Sequence, residues 1–375
     1  MDSRIISLHT MARRVKTFWP AALTLIVSSA YILWRLTSVN MDAAALAEIG
    51  TRYADLDPDG NPGYDGQFAL YVARDPNPQS VAEHLDVPAY RYQRILYPIL
   101  ARALVGGNPT LIPWSLLLVN LCALVVATGL LCSFLVERGY PSHYALIYGL
   151  WVGLIAAVGL DLHEPLAYGL VVLGWFWRFR NRPVWGAVAL GLALFAKETT
   201  VLFWIAALIS DLVQRRPKSS TWTLIAGGAL FALWQAWLWW TFGSPGIGSG
   251  GDMATGFEWI PFMGLLRIGT ESLPALALFL VILGPSIVLP TIWGLASSVK
   301  VLWGGAKDAT AMALFTNSLV LLFIPYSTFR EPLGIVRVAT GLVLVVVLFS
   351  VQYKRRKTLN YAMFWIAMLV MLLNS

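Results

Sequence analysis

Long apolar runs recur along the whole chain, near residues 17–37, 111–136, 144–160, 165–177, 184–197, 200–213, 221–242, 273–299, 309–327, 333–352 and 359–373. A membrane-crossing helix needs about 20 mostly apolar residues, and fewer where neighbouring protein covers its ends. The pattern therefore predicts an all-α integral membrane protein of about eleven spans, the fourth to sixth of them short, with residues 1–375 as one polytopic domain. The first run is too long for the apolar core of a signal peptide and lacks a small-residue cleavage site, so it reads as an uncleaved anchor. Two polar stretches, 38–110 and 243–272, are too long to be simple connectors.

Composition sharpens this picture. Hydrophobic residues make up 58% and charged residues 13% of the chain, about half the charge of an ordinary soluble domain. A soluble two-domain enzyme and a disordered chain are excluded. Cys122 and Cys132 lie ten residues apart in one apolar run; about 15 Å of helix rise separates them, beyond disulfide reach. The net charge of +7 does not point to nucleic acid, because the basic residues form short clusters between apolar runs: Arg13, Arg14 and Lys16; Arg178, Arg180 and Arg182; Arg215, Arg216 and Lys218; Lys354 to Lys357. With the N-terminus in the cytoplasm, the cytoplasmic segments hold 17 of the 27 Lys and Arg but only 4 of the 20 Asp and Glu. The positive-inside rule then fixes a multi-pass inner-membrane topology, with both long stretches extracytoplasmic.

The first outer stretch, 38–110, carries nine acids and enough Tyr to pack as a subdomain on the bilayer, ending in an apolar run, Ile95 to Val105, that suits an interfacial helix. Two dense strings stand out in it. Gly63-Tyr64-Asp65-Gly66-Gln67-Phe68 offers a carboxylate between glycines, where backbone can approach a ligand; Asp-Gly is also a common turn pair. Tyr90-Arg91-Tyr92-Gln93-Arg94 sets two guanidiniums on one helical face, fit to clamp a phosphate or to anchor on headgroups. The second stretch, 243–272, opens on GSPGIGSGGD, a mobile lid or linker whose glycines could also cradle a phosphate. On the same outer side lie Asp161-Leu162-His163-Glu164-Pro165, Lys197-Glu198-Thr199 and Phe329-Arg330-Glu331-Pro332, with Arg337 just inside the next helix. Ionisable residues at the membrane boundary are expensive and mark function; the plainer alternative is local pairing, Lys197 with Glu198 or a nearby carboxylate and Arg330 with Glu331.

The strings GYDGQF, ARDP (Ala73 to Pro76), YRYQRILYP, DLHEP and FREPLG resemble those of bacterial multispanning glycosyltransferases of the GT-C type, relatives of the polyprenyl-phosphate-sugar-dependent mannosyltransferases that build cell-surface glycopolymers. The resemblance implies a large first outer loop bearing a catalytic acid, here Asp65, and a sugar taken from a lipid phosphate on the outer leaflet. Many such enzymes carry two adjacent acids in that loop; here Gly66 follows Asp65, so no metal-bridging pair is implied and no cofactor is assigned.

The residues suit that chemistry. An ionised Asp65 can take the acceptor proton, while Arg91, Arg94, Arg330 and Arg337 can offset the charge of a departing phosphate. Tyr64, Gln67, His163, Glu164 and Lys197 complete the expected substrate site. The expected partners are the lipid-linked sugar donor, a glycan or lipid acceptor and membrane lipids. The competing class is a transporter or flippase of lipid-linked glycans, which should bury charge mid-helix along a pathway; here the charges crowd the outer boundary and no internal repeat is visible.

Overall fold

The computed structural model describes residues 2–215 and 218–374, with side chains from Lys16 to Leu373 apart from that break. Arg216 lies outside the described residues, and so do the side chains of Arg13 and Arg14. The chain is all-α. Among the described residues, four helices are long and apolar enough to cross a membrane: Lys16–Ser38, Ile112–Glu137, Leu273–Trp303 and Pro332–Gln352. A fifth exists if Ser142–Gly149 and Val152–Gly159, bent by 53° at their junction, count as one span. These helices mark a membrane-associated protein.

The number is far below the expected eleven, for visible reasons. Helices Glu164–Phe179, Pro183–Ala196, Val201–Val213 and Ala309–Leu322 run only 13 to 16 residues. At 1.5 Å per residue they fall short of a hydrocarbon core of about 30 Å. Pro165 and Pro183 each sit in a first turn, where the missing N–H is tolerated and a helix starts rather than continues. Lys218–Phe242 is long enough at 25 residues, but its tryptophans and Gln235 dilute its apolar character. The last run forms Arg356–Ala362 and a 3₁₀ stretch, Met363–Asn374. Cys122 and Cys132 are both free.

Pro332–Gln352 is the central helix: Thr340 through Val351 are buried all round, as an uninterrupted Val/Leu run demands. Trp151, at the kink, donates its ring N–H to the Val336 carbonyl at 2.9 Å. The top of this helix therefore stands in the middle of the bundle and presents Arg337 there.

Residues 38–110 are folded rather than loose. Helices Gly66–Arg74 and Pro88–Tyr92 pack with shorter turns around Phe68, Val72, Val81, Leu85 and Tyr92, closed by Leu238 from Lys218–Phe242, while Leu96–Leu104 joins Ala69, Leu70 and Ala73 in a second cluster. Leu96–Leu104 buries Tyr97 and Ala101 and leaves Ile99, Leu100 and Leu104 outward. Arg102 donates to the carbonyls of Ala73 and Arg74 at 3.0 and 2.7 Å.

Candidate functional site

A cavity of about 570 Å³ lies where the 38–110 subdomain meets the helix junctions. Eight of the expected site residues line it: Tyr64, Asp65, Arg91, Arg94, Glu164, Lys197, Arg330 and Arg337. Gln67 and His163 do not. Gln67 is a brace, accepting from the Gly50 amide at 3.1 Å and donating to the Pro62 carbonyl at 2.7 Å. His163 packs its ring edge-on against Tyr97, at 5.3 Å between centroids, while Glu164 turns away toward other partners.

Asp65 caps the start of Gly66–Arg74 with no side-chain bond to that helix, which leaves both carboxylate oxygens for the cavity. Oδ1 meets Arg91 Nη1 at 2.8 Å and Oδ2 meets Arg337 Nη2 at 3.0 Å, with 30% of the side chain still accessible. The flanking glycines are required by packing, and Gly63 also lines the cavity. Gly63 has φ +65°, and a side chain there would collide with the Glu48 carbonyl; at Gly66 a Cβ would stand 2.0 Å from the Leu160 carbonyl oxygen. Both glycines fix where Asp65 points.

The cations form a paired lattice. Arg337 donates Nε to Glu164 Oε1 at 2.8 Å and Nη1 to the Tyr64 hydroxyl at 2.8 Å; that hydroxyl in turn donates to Glu331. Lys197 reaches the same Glu164 oxygen at 2.9 Å. Arg91 forks onto Asp86 with two bonds of 2.7 Å, and Arg94 forks onto Glu198 at 2.8 and 2.7 Å while bonding Tyr90. Of the expected local pairs, Lys197 takes the nearby carboxylate, Glu164, rather than Glu198, and no Arg330–Glu331 pair is found among the described residues. Lys197 goes to Glu164 and Glu198 to Arg94, because covered charges need close, well-oriented partners. Arg330 makes no ion pair among the described residues and stands exposed on the rim beside the Tyr326 ring. Arg52 also makes none among them, and its Nε is covered without an acceptor. Three of the four arginines expected to clamp a phosphate are thus already engaged by carboxylates; only Arg330 is not.

This lattice sets the charge states. Burial pushes the Asp65 carboxyl up, but the guanidiniums of Arg91 and Arg337, with Arg94 behind them, outweigh it and hold the group well below the usual carboxylate range. Burial raises the Tyr64 hydroxyl far above the usual phenol range, against the pull of Arg337, so it stays protonated and able to donate.

The 243–262 segment is hydrogen-bonded to the elements around the cavity. The amides of Ile247, Asp252, Thr255, Glu258 and Phe262 bond respectively to Gln235, Asp86, Ser327 and the carbonyls of Phe323 and Leu322. Of the glycine run, Gly251 lies against Arg91 and Asp86, where a Cβ would come within 2.9 and 3.0 Å of them.

Sequence reasoning left Asp86, Glu198, Glu331, Tyr90 and Arg52 out of the site. Asp86, five residues before Arg91, and Tyr90, four before Arg94, have a local signal; Glu198 and Glu331 stand in the boundary strings, but their partners Arg94 and Tyr64 are distant in sequence, and nothing in the sequence singles out Arg52. No three His, Cys, Asp or Glu residues group to hold a metal among the described residues. Compared with protein families, curated proteins and solved structures, the chain gives no match.

Proposed function

We propose that this chain is a membrane glycosyltransferase of the GT-C type, moving a sugar from a polyprenyl-phosphate donor to an extracytoplasmic glycan or lipid acceptor with inversion at the anomeric carbon. The observation that carries this reading is the cavity: a carboxylate with accessible oxygen, Asp65, shares one 570 Å³ space with six cations at the end of a lipid-facing helix bundle. The reading places the N-terminus in the cytoplasm and the cavity on the extracytoplasmic face of the inner membrane, as the distribution of basic clusters favours.

In this mechanism Asp65 takes the proton of the acceptor hydroxyl. The acceptor oxygen attacks the anomeric carbon, and the bond from that carbon to the phosphate oxygen breaks. Arg330, the rim cation without a carboxylate, receives the departing phosphate charge. While Asp65 holds two guanidiniums its basicity is suppressed. A donor phosphate competing for Arg91 and Arg337 restores it, so base strength appears only when donor is bound. Glu164, Lys197 and Tyr64 hold Arg337 in place.

The test is turnover by the purified protein in lipid nanodiscs, supplied with a panel of polyprenyl-phosphate sugars and acceptor glycolipids, read as release of polyprenyl phosphate. Release from at least one donor is expected. No release from any donor, with movement of a lipid-linked glycan across proteoliposomes instead, would establish a transporter.

A further inference from the structure

We infer that residues 253–260 form a membrane-inserted lid, with their outer face in the hydrocarbon of the leaflet on the cavity's side. The segment is inside-out for water. Trp259 is 94% exposed and Phe257 65%, with Met253 and Ile260 also outward. Glu258 between them turns inward: its side chain keeps 8% of its exposure, pairs with Arg267 Nε at 3.0 Å, and its amide donates to the Phe323 carbonyl. A loop lying in water buries its rings and exposes its acid; this one does the reverse, the arrangement that lipid selects.

Along the chain the segment lies between two helices with outward apolar surfaces. Leu273, outward at the start of Leu273–Trp303, follows shortly after the lid, and that helix is largely uncovered by protein. Trp240, outward near the end of Lys218–Phe242, precedes it. Exposed rings clustered in this way mark an interaction surface; because the helix that follows in the chain is long and apolar enough to span, the occupant we assign is bilayer hydrocarbon.

The leading end of the same segment borders the cavity. Gly251, Asp252, Met253 and Ala254 line it, and the Asp252 amide is fixed to Asp86 Oδ2 at 3.2 Å, the oxygen that also accepts from Arg91. The segment thus runs from the edge of the charged lattice to the outward rings. A ligand with a hydrocarbon tail enters sideways, past the lid, with its polar head drawn inward and its tail left in the bilayer. The inference requires only that the chain spans a membrane and stands apart from the catalytic reading.

The test uses full-length protein in phosphatidylcholine nanodiscs, with Cys122 and Cys132 replaced by Ser and one spin label at Phe257→Cys, Trp259→Cys or, as the aqueous control, Asn77→Cys. The ratio of relaxation by oxygen to relaxation by a neutral nickel chelate should be several-fold higher at 257 and 259 than at 77. A ratio at 259 equal to that at 77 overturns the lid. If the Cys variants fail to fold, Trp259→Phe in the otherwise native chain gives the same answer: brominated lipids should quench wild type more than the variant, and equal fractional quenching overturns the inference.

Discussion

Glu164 is the junction of the covered charges. Its Oε1 accepts from both Lys197 Nζ and Arg337 Nε, and its side chain has no exposure. Glu164→Gln keeps the shape and removes the charge. Arg337 then retains Asp65, but Lys197, with 5% of its side chain exposed, loses the one anion it pairs with among the described residues. Removing one partner of a buried pair costs about 3–5 kcal/mol, because the remaining charge stays desolvated. That is roughly 10²–10⁴-fold in the unfolding constant at 1.36 kcal/mol per decade. The control is Glu137→Gln, whose partner Arg180 and own side chain are both nearly half exposed; such pairs contribute about 0–1 kcal/mol. Both variants are unfolded by SDS titration in mixed micelles and followed by circular dichroism. Adding Lys197→Met to Glu164→Gln should recover part of the loss by removing the stranded cation. A Glu164→Gln loss no larger than that of the control would refute the view that this lattice is held by buried pairing.

Other outcomes follow from the same geometry. Arg330→Gln should raise KM for a lipid-phosphate donor by roughly 10- to 100-fold, the scale of one lost hydrogen bond to a charged group, with stability unchanged; Arg94→Gln should instead destabilise, stranding Glu198. The Asp65 carboxyl is depressed in the folded state, so its stabilisation is complete above about pH 4, the unfolded value, and is lost as pH falls through the depressed one. Wild type and Asp65→Asn should therefore differ by a constant free energy from pH 5 to 8, narrowing only in stronger acid, as denaturant titrations across pH would register. In the Cys-free protein, Asn77→Cys should react with an impermeant maleimide from outside the cell and Ser219→Cys should not; reversed labelling would remove the site from the extracytoplasmic face.

Much of the site was legible because its residues share one side of the chain's hydrophobic pattern. Tyr64, Asp65, Arg91 and Arg94 sit in dense local strings, and Glu164, Lys197, Arg330 and Arg337 each border an apolar run; position alone was enough to group them. Their partners were not legible. Arg94 and Glu198 are 104 residues apart, and Arg337 and Asp65 are 272 apart, separations that no periodicity encodes. The same gap explains the lid. Its glycines read as slack chain, but five amide bonds to distant groups hold the segment in place. The span count misled for another reason: the apolar runs at 165–177, 184–197, 200–213 and 309–327 form helices of only 13 to 16 residues, too short to qualify alone.

Asp65 as general base is the central claim, and Asp65→Asn tests it most directly. Arg91 keeps Asp86 and Arg337 keeps Glu164 in that variant, so folding and insertion should survive where Glu164→Gln falters. Positioned proton transfer contributes roughly 10²–10⁴-fold. With protein level and donor affinity measured alongside, the account predicts a fall in turnover of about that size and donor binding that is unchanged or tighter, since the arginines lose a competing carboxylate. Near-normal turnover would contradict it and pass the role to another acid of the cavity.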